Sequence, residues 1–285
     1  MQLPFNMNAT IKPIVRRTLH RNGVVAVEEH LRGQTLHGRR RTWHHNAQLA
    51  TEEFYRDGRL HGLCRQWNER GRLLGTYRME HGTGTQISWH DNGRRNLEFT
   101  TIGGQFCGRS RLWLLDGTLI TDQVLLFGRP ATRDEYRRAM RQEPRLPKLR
   151  VWPTKLPPRN RAWQKHLQHV FVQGLLSKPN RSEARDWLQA GGNTKRLPGR
   201  FKRGSEALKF VEQLYQAGAV KVIVPDIYQS RHGDQFADNL LVQLPKAAAA
   251  RKAIRQVCQL LRKRKLGAVA PDEDLGEAYL LLSMA

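Results

Sequence analysis

The sequence predicts an α+β chain made of a stacked β-hairpin repeat sheet, a basic Pro-rich linker and a small ferredoxin-like α/β domain. Three observations carry this prediction. One short phrase recurs four times between about Leu36 and Gly128. The stretch that follows is dense in Pro, Arg and Lys. The last part changes rhythm to helical and strand-like apolar segments in turn. The implied boundaries are residues 1–140 for the array with its capping segments, 141–160 for the linker and 161–285 for a helical lead-in and the small domain.

The recurring phrase is Gly, four residues, Trp, three residues, Gly. Its copies are Gly38/Trp43, Gly62/Trp67/Gly71, Gly84/Trp89/Gly93 and Gly108/Trp113/Gly117, with Ala47 in the last glycine position of the first copy. The tryptophans lie 24, 22 and 24 residues apart, a period that marks a repeat architecture. Within a copy, Leu63–Trp67 alternates, Glu69-Arg70-Gly71 turns the chain, and Leu73, Gly75, Tyr77 and Met79 share one face of the return strand. His81-Gly82 turns it again. In other copies Asn92-Gly93 and Asp116-Gly117 supply the positive φ that two-residue hairpin turns need. Upstream, Asn22-Gly23, the run Val24, Val25, Val27 and then Gly33 predict a degenerate first copy that caps the array. Asp134–Met140 predicts a short helix whose Tyr136 and Met140 cover the edge of the last hairpin.

The Gly…Trp…Asn/Asp-Gly phrase, with His37-Gly38 and His61-Gly62 opening two copies, resembles the variant MORN repeat. The resemblance covers Leu36–Gly128 and departs at Ala47 and at the shortened second interval, where Gly82 and Gly84 crowd together. It implies that each unit is a β-hairpin and that successive hairpins stack into one elongated sheet. Bacterial proteins with such repeats are often catalogued as antitoxins of toxin–antitoxin pairs, and commoner MORN repeats are associated with protein scaffolding and anionic lipids. The resemblance therefore implies an antitoxin-like bacterial binding protein.

Arg141–Arg161 holds Pro144, Pro147, Pro153, Pro157 and Pro158 among its cations, a composition that predicts an extended linker. Asn160 is placed to cap a helix with Trp163, Leu167, Val170 and Phe171 on one face. A second helix, Ser182–Ala190, ends at Gly191-Gly192. Then come a strand over Arg196–Lys202, a helix over Ser205–Ala217, strands over Val220–Val224 and Asn239–Leu244, a helix over Lys246–Lys265 and a strand over Ala278–Met284. That β-α-β-β-α-β order is the split βαβ arrangement.

The 285 residues have a formal net charge of +24 and a mean hydropathy of −0.64. Residues 141–203 carry 16 Lys and Arg against 3 Asp and Glu, so over half of the excess lies there. Such charge attracts nucleic acid, acidic proteins or, more weakly, an anionic membrane surface. No apolar run spans a bilayer, Met1–Arg17 lacks the apolar stretch of a signal peptide, and Cys64, Cys107 and Cys258 lack metal-ligand spacing. A cytoplasmic protein with reduced thiols is expected.

No nucleophile–base pair, P-loop or dinucleotide fingerprint is present, so no catalytic residue, metal or cofactor is assigned. Residue type raises two alternative chemistries. The histidines His44 and His90 follow repeat tryptophans, and His166 and His169 are three apart, but zinc needs a convergent shell. The acidic residues Asp226, Asp234, Asp238, Asp272, Glu273, Asp274 and Glu277 suit Mg²⁺-dependent hydrolysis or, more simply, pairing with cations. The repeat glycines and tryptophans read as scaffold. Arg39, Arg41, Arg65, Arg94, Arg95, Arg109 and Arg111 read as the binding face for an acidic partner protein. Arg145, Lys148, Arg150, Lys155, Arg159 and Arg161 read as an alternative nucleic-acid footprint. The leading expectation is a non-enzymatic interaction scaffold.

Overall fold

The structure, a computed structural model, describes residues 13–153, 156–190 and 194–284. The chain is α+β and divides into two compact units. One comprises residues 1–20, 25–113 and 117–156, and the other residues 21–24, 114–116 and 157–285.

In the first unit the strands are β1 (Pro13–Leu19), β2 (Val25–Arg32), β3 (Thr35–Trp43), β4 (Leu49–Arg56), β5 (Arg59–Leu60), β6 (Gly62–Trp67), β7 (Leu73–Met79), β8 (Gly84–Trp89), β9 (Arg95–Ile102), β10 (Gln105–Trp113), β11 (Leu119–Leu126) and β12 (Arg129–Pro130). They form a stacked-hairpin array in two antiparallel sheets, β1-β2-β3-β4-β6-β7 with β5 beside β4, and β12-β11-β10-β9-β8. The capping hairpin expected before Gly38 is β1–β2.

The two edges of the array turn by different means. After each tryptophan, only one residue has positive φ: Ala47 at 67°, Gly71 at 74°, Gly93 at 85° and Gly117 at 94°. Asn92 and Asp116 are therefore not the φ > 0 residues of two-residue turns. Instead Asn92 Oδ1 accepts the Arg94 N–H at 3.0 Å, and a bulge at Trp89 absorbs the extra residue. The two-residue turns with paired positive φ lie at the opposite edge, at Asp57-Gly58, His81-Gly82, Gly103-Gly104 and Phe127-Gly128. These turns stack on one another: Gly58, Gly82, Gly104 and Gly128 donate to the carbonyls of Leu36, Leu60, Gly82 and Phe106 at 2.7–2.9 Å.

The shortened interval has a structural consequence. Between β7 and β8 the strand ladder is replaced by a single Glu80–Thr83 bridge. The Trp89 indole fills the space above Gly75, where an added Cβ would come within 2.2 Å of the ring. Gln66 then bonds both backbone groups of Trp89, donating Nε2–H to its carbonyl at 2.8 Å and accepting its N–H at 3.0 Å.

The last hairpin is closed by β12 and helix α1 (Arg133–Gln142), which opens on a Thr132/Glu135 capping box. Tyr136 is buried against Cys107, Val124, Leu126 and Leu146, as the expected edge cover. The segment after it is a correction. Residues 141–156 are not an extended linker but part of the first unit, because Leu146 is apolar enough to bury and Pro147 accepts the Tyr136 hydroxyl at 3.0 Å.

The second unit holds α2 (Arg161–Leu176), β13 (Ser182–Glu183), α3 (Ala184–Gln189), β14 (Arg196–Pro198), α4 (Gly204–Gln216), β15 (Lys221–Val224), β16 (Tyr228–Gln229), β17 (Gln235–Ala237), β18 (Asn239–Gln243), α5 (Ala248–Lys263), β19 (Ala268–Ala270) and β20 (Tyr279–Ser283). Its main sheet is antiparallel throughout, in the order β13-β15-β18-β20-β19. The split βαβ order is not what forms. The expected first strand is only three residues long and pairs with β17 in a separate sheet, β14-β17-β16. Both faces of the main sheet are covered. Val172 of α2 meets Ile223, Leu241 and Leu281, while α4 and α5 bury Val211, Leu214, Ile254 and Leu261 against Val222, Leu240, Val242 and Leu280. This two-sided burial explains the unbroken apolar runs of these strands. Asn160 caps α2 as expected, accepting from Trp163 N at 3.0 Å, but Phe171 points outward and Val172 takes the buried place. Gly191 and Gly192 lie outside the described residues.

Ala47→Gly relieves an L-residue of left-handed backbone and raises stability by about 0.5–1 kcal/mol. Gly75→Ala drives a methyl into Trp89 and costs about 1–3 kcal/mol. Urea unfolding of the two variants beside the parent, followed by tryptophan fluorescence, checks both signs.

Candidate interaction surface

Antiparallel pairing in a fixed register sets residues from successive strands side by side on one face. In the array this aligns Arg17, Glu28, Arg41, Glu52 and Arg65 across β1, β2, β3, β4 and β6. Beyond the break, Glu98, Arg111 and Asp122 continue the row across β9, β10 and β11. Thr76 and Ile87 interrupt it on β7 and β8. On the opposite face Arg16, Glu29, Arg40 and Glu53 form a second row.

Glu29, Arg40 and Glu52 each hold more than one charged partner. Glu29 accepts from Arg16 at 2.7 Å and from Arg40 at 3.2 Å. Arg40 also reaches Glu53 at 3.1 Å, and Glu52 sits between Arg41 and Arg65, both at 3.0 Å. Arg109 grips Asp122 with two bonds of 2.7 and 2.6 Å, and the Asp122 side chain is fully buried. Glu53 additionally accepts the hydroxyls of Tyr55 and Tyr77, whose phenols are pushed up by burial and by that carboxylate. The hydrogen bond from Arg17 holds Glu28 below the usual carboxylate range, and Arg16 does the same for Glu29.

This placement revises the expected Arg-rich binding face. Arg41 and Arg65 bond Glu52, Arg39 lies 3.7 Å from it, Arg95 and Arg111 pair with Glu98, and Arg109 with Asp122. Those six guanidinium groups share three carboxylates within the sheet. Arg94 belongs to the turn held by Asn92. The carboxylates were the residues that sequence reading passed over. Their signal is an acid eleven positions after a base, at Arg17/Glu28, Arg41/Glu52 and Arg111/Asp122.

The histidines are staples between repeats. His20, His44 and His90 donate Nε2–H to the carbonyls of Trp43, Trp67 and Trp113, each 23 residues on, at 2.7, 3.0 and 2.9 Å. Gln66 takes this role toward Trp89. Among the described residues no cluster of His, Cys, Asp or Glu is arranged to hold a metal ion.

The candidate nucleic-acid residues divide between units. Lys148 and Arg150 are exposed in the first unit, where Arg145 pairs with Glu143 at 2.8 Å. In the second, Arg159 stacks on Trp163 and Arg161 donates to the Asp274 carbonyl. Lys155 lies outside the described residues.

The acidic loop of the second unit is clamped by cations. Arg251, mostly buried, bonds Asp274 at 2.8 Å and the carbonyls of Pro245 and Glu277. Arg255 pairs with the buried Glu277, and Arg262 with Asp272. Asp234 accepts the Lys195 N–H, Asp238 the Tyr228 hydroxyl, and Asp226 lies 3.9 Å from Lys178. Arg251 holds Asp274 far below the usual aspartate range. All three cysteines are free and buried, and burial pushes the Cys258 thiol up to about 12.

No helix among the described residues is long and apolar enough to cross a membrane. No protein-family model, curated protein or solved structure matches this chain.

Glu28, Glu29 and Asp274 all have folded-state values below their unfolded ones. Their ion pairs therefore contribute fully above about pH 4–5 and lose that contribution as pH falls through the lowered values. The urea midpoint is expected to hold steady from pH 8 to 6 and to drop steeply below about pH 4. Arg251→Met leaves Asp274 without the guanidinium that bonds it and Glu277 with Arg255 alone, and costs about 1–3 kcal/mol at pH 7, read in the same melts. The thiols are expected to stay unreactive toward Ellman's reagent until denaturant is added.

Proposed function

We propose that this chain is a non-enzymatic protein-interaction scaffold that binds an acidic partner protein through the repeat array. One observation carries the reading. The array is a stack of hairpins whose facing strands carry alternating basic and acidic residues from β1 to β4, and among the described residues these rows begin with the arginines of β1. Such a sheet offers a rigid surface with a basic terminus. The resemblance to variant MORN repeats supports a scaffolding role and extends the proposal to an antitoxin-like one. The matched interior arginines contribute rigidity to this function, and the attraction for acid lies at the end of the row.

A second reading, nucleic-acid binding, is favoured by the exposed Lys148 and Arg150 and by the excess positive charge of residues 141–203. The two readings separate cleanly in solution. With the full chain as bait in a lysate of its source organism, an acidic protein is expected to be retained at low ionic strength. It is expected to be released at about 1 M salt, where the screening length is about 3 Å. Retention of nucleic acid alone, with anisotropy titrations that weaken steeply with salt, would favour the second reading instead.

A further inference from the structure

The two ends of the array are finished differently. At the far end β11 is followed by β12 and covered by α1, with Tyr136 buried over the last hairpin. At the near end, among the described residues, β1 pairs with β2 alone and is exposed at every position from Pro13 to Leu19. Ile14, Val15 and Leu19 are 50%, 47% and 62% exposed. An edge strand of this kind presents a row of backbone N–H and C=O groups to any extended chain.

The charge rows state what kind of chain fits. From β1 inward, the central pair of residues on successive strands runs Arg16-Arg17, Glu28-Glu29, Arg40-Arg41, Glu52-Glu53. Glu29 and Glu52 lie between two arginines, and Arg40 lies between two carboxylates. Arg16 and Arg17 hold one carboxylate each, at 2.7 Å, and their side chains remain 57% and 61% exposed. Among the described residues the alternation ends on these two arginines, one on each face of the sheet.

We infer that the outer edge of β1 is a β-augmentation site for an extended acidic segment of a partner protein. That segment carries two consecutive carboxylates, one for each face of the sheet, flanked by β-branched or other apolar residues. This rests on the scaffold reading above and names the place and chemistry of the contact. Two other occupants fit worse on charge. Full-length antiparallel pairing of two copies of β1 would set Arg16 against Arg16 of the second copy. The residues preceding Pro13 in this chain include Lys12 and no carboxylate.

The probe is a fluorescein-labelled peptide with the chain's own acidic strand sequence, Val25–Arg32, titrated into the full-length protein at low ionic strength. Saturable binding is expected, weakened about ten-fold when both glutamates of the peptide become glutamine, the yield of two cross-strand charge pairs. A peptide N-methylated at alternate backbone nitrogens is expected to lose binding, because an added strand needs its N–H groups. Amide hydrogen exchange of the unmodified protein is expected to slow in β1 when peptide is present. Absence of saturable binding, equal binding of the glutamine or N-methylated peptide, or protection confined to other strands would overturn the assignment. A captured acidic partner that excess peptide does not displace would overturn it too, while leaving the scaffold reading standing.

Discussion

Most side chains of the inner array strands are only half-buried, whichever face they lie on, and the first unit depends on how it answers that constraint. A hydrophobic side chain fully buried in a core contributes about 1.5–3 kcal/mol, and most array residues are only half-buried. A cross-strand charge pair contributes about 0.2–1 kcal/mol, too little to matter singly. The array therefore repeats the pair on strand after strand, and links the rows so that one carboxylate serves two guanidinium groups. Histidine and glutamine staples to the tryptophan carbonyls add a second repeating term along one edge, and stacked turns add a third along the other. Stability built from nearest-neighbour terms is the expected energetics of a repeat array.

The same logic locates the weak seam. Between β7 and β8 the charge row carries Thr76 and Ile87 in place of acid and base, and there the backbone ladder also gives way. Gly75 leaves room for Trp89, and Gln66 restores two of the lost backbone bonds. The seam coincides with the interval shortened by two residues. A shorter connection brings the glycines Gly82 and Gly84 together, and the strands then meet through side chains.

The second unit follows a different regime. Its main sheet is buried on both faces, so apolar area supplies the stability and buried charges must be matched individually. Arg251, Arg255, Asp274 and Glu277 form such a set, tying the loop before β20 to α5. Of the carboxylates that suit a metal site in sequence, Asp272, Asp274 and Glu277 are held by arginines of α5. A buried carboxylate holding two arginines has its lone pairs occupied and its charge balanced.

The sequence alone determined the hairpin period, the helices of the second unit and the three inner strands of its main sheet, β15, β18 and β20. Each of these follows from local rules: turn glycines, the Asn160 cap, and the spacing of apolar residues. Tertiary structure decided what depends on pairing between distant strands. Arg41 and Glu52 are partners only because the register sets them opposite one another, and a one-residue slip would place them on different faces. Leu146 and Pro147 looked like linker until the array offered Tyr136 and Cys107 to pack on. Arg196–Lys202 reads as the first strand of a split βαβ unit, yet only Arg196–Pro198 forms a strand and it pairs beside β17, outside the main sheet. The arginines are plain in the sequence. Which carboxylate each one meets is a property of register, to which the eleven-residue spacing of base and acid is the one local pointer.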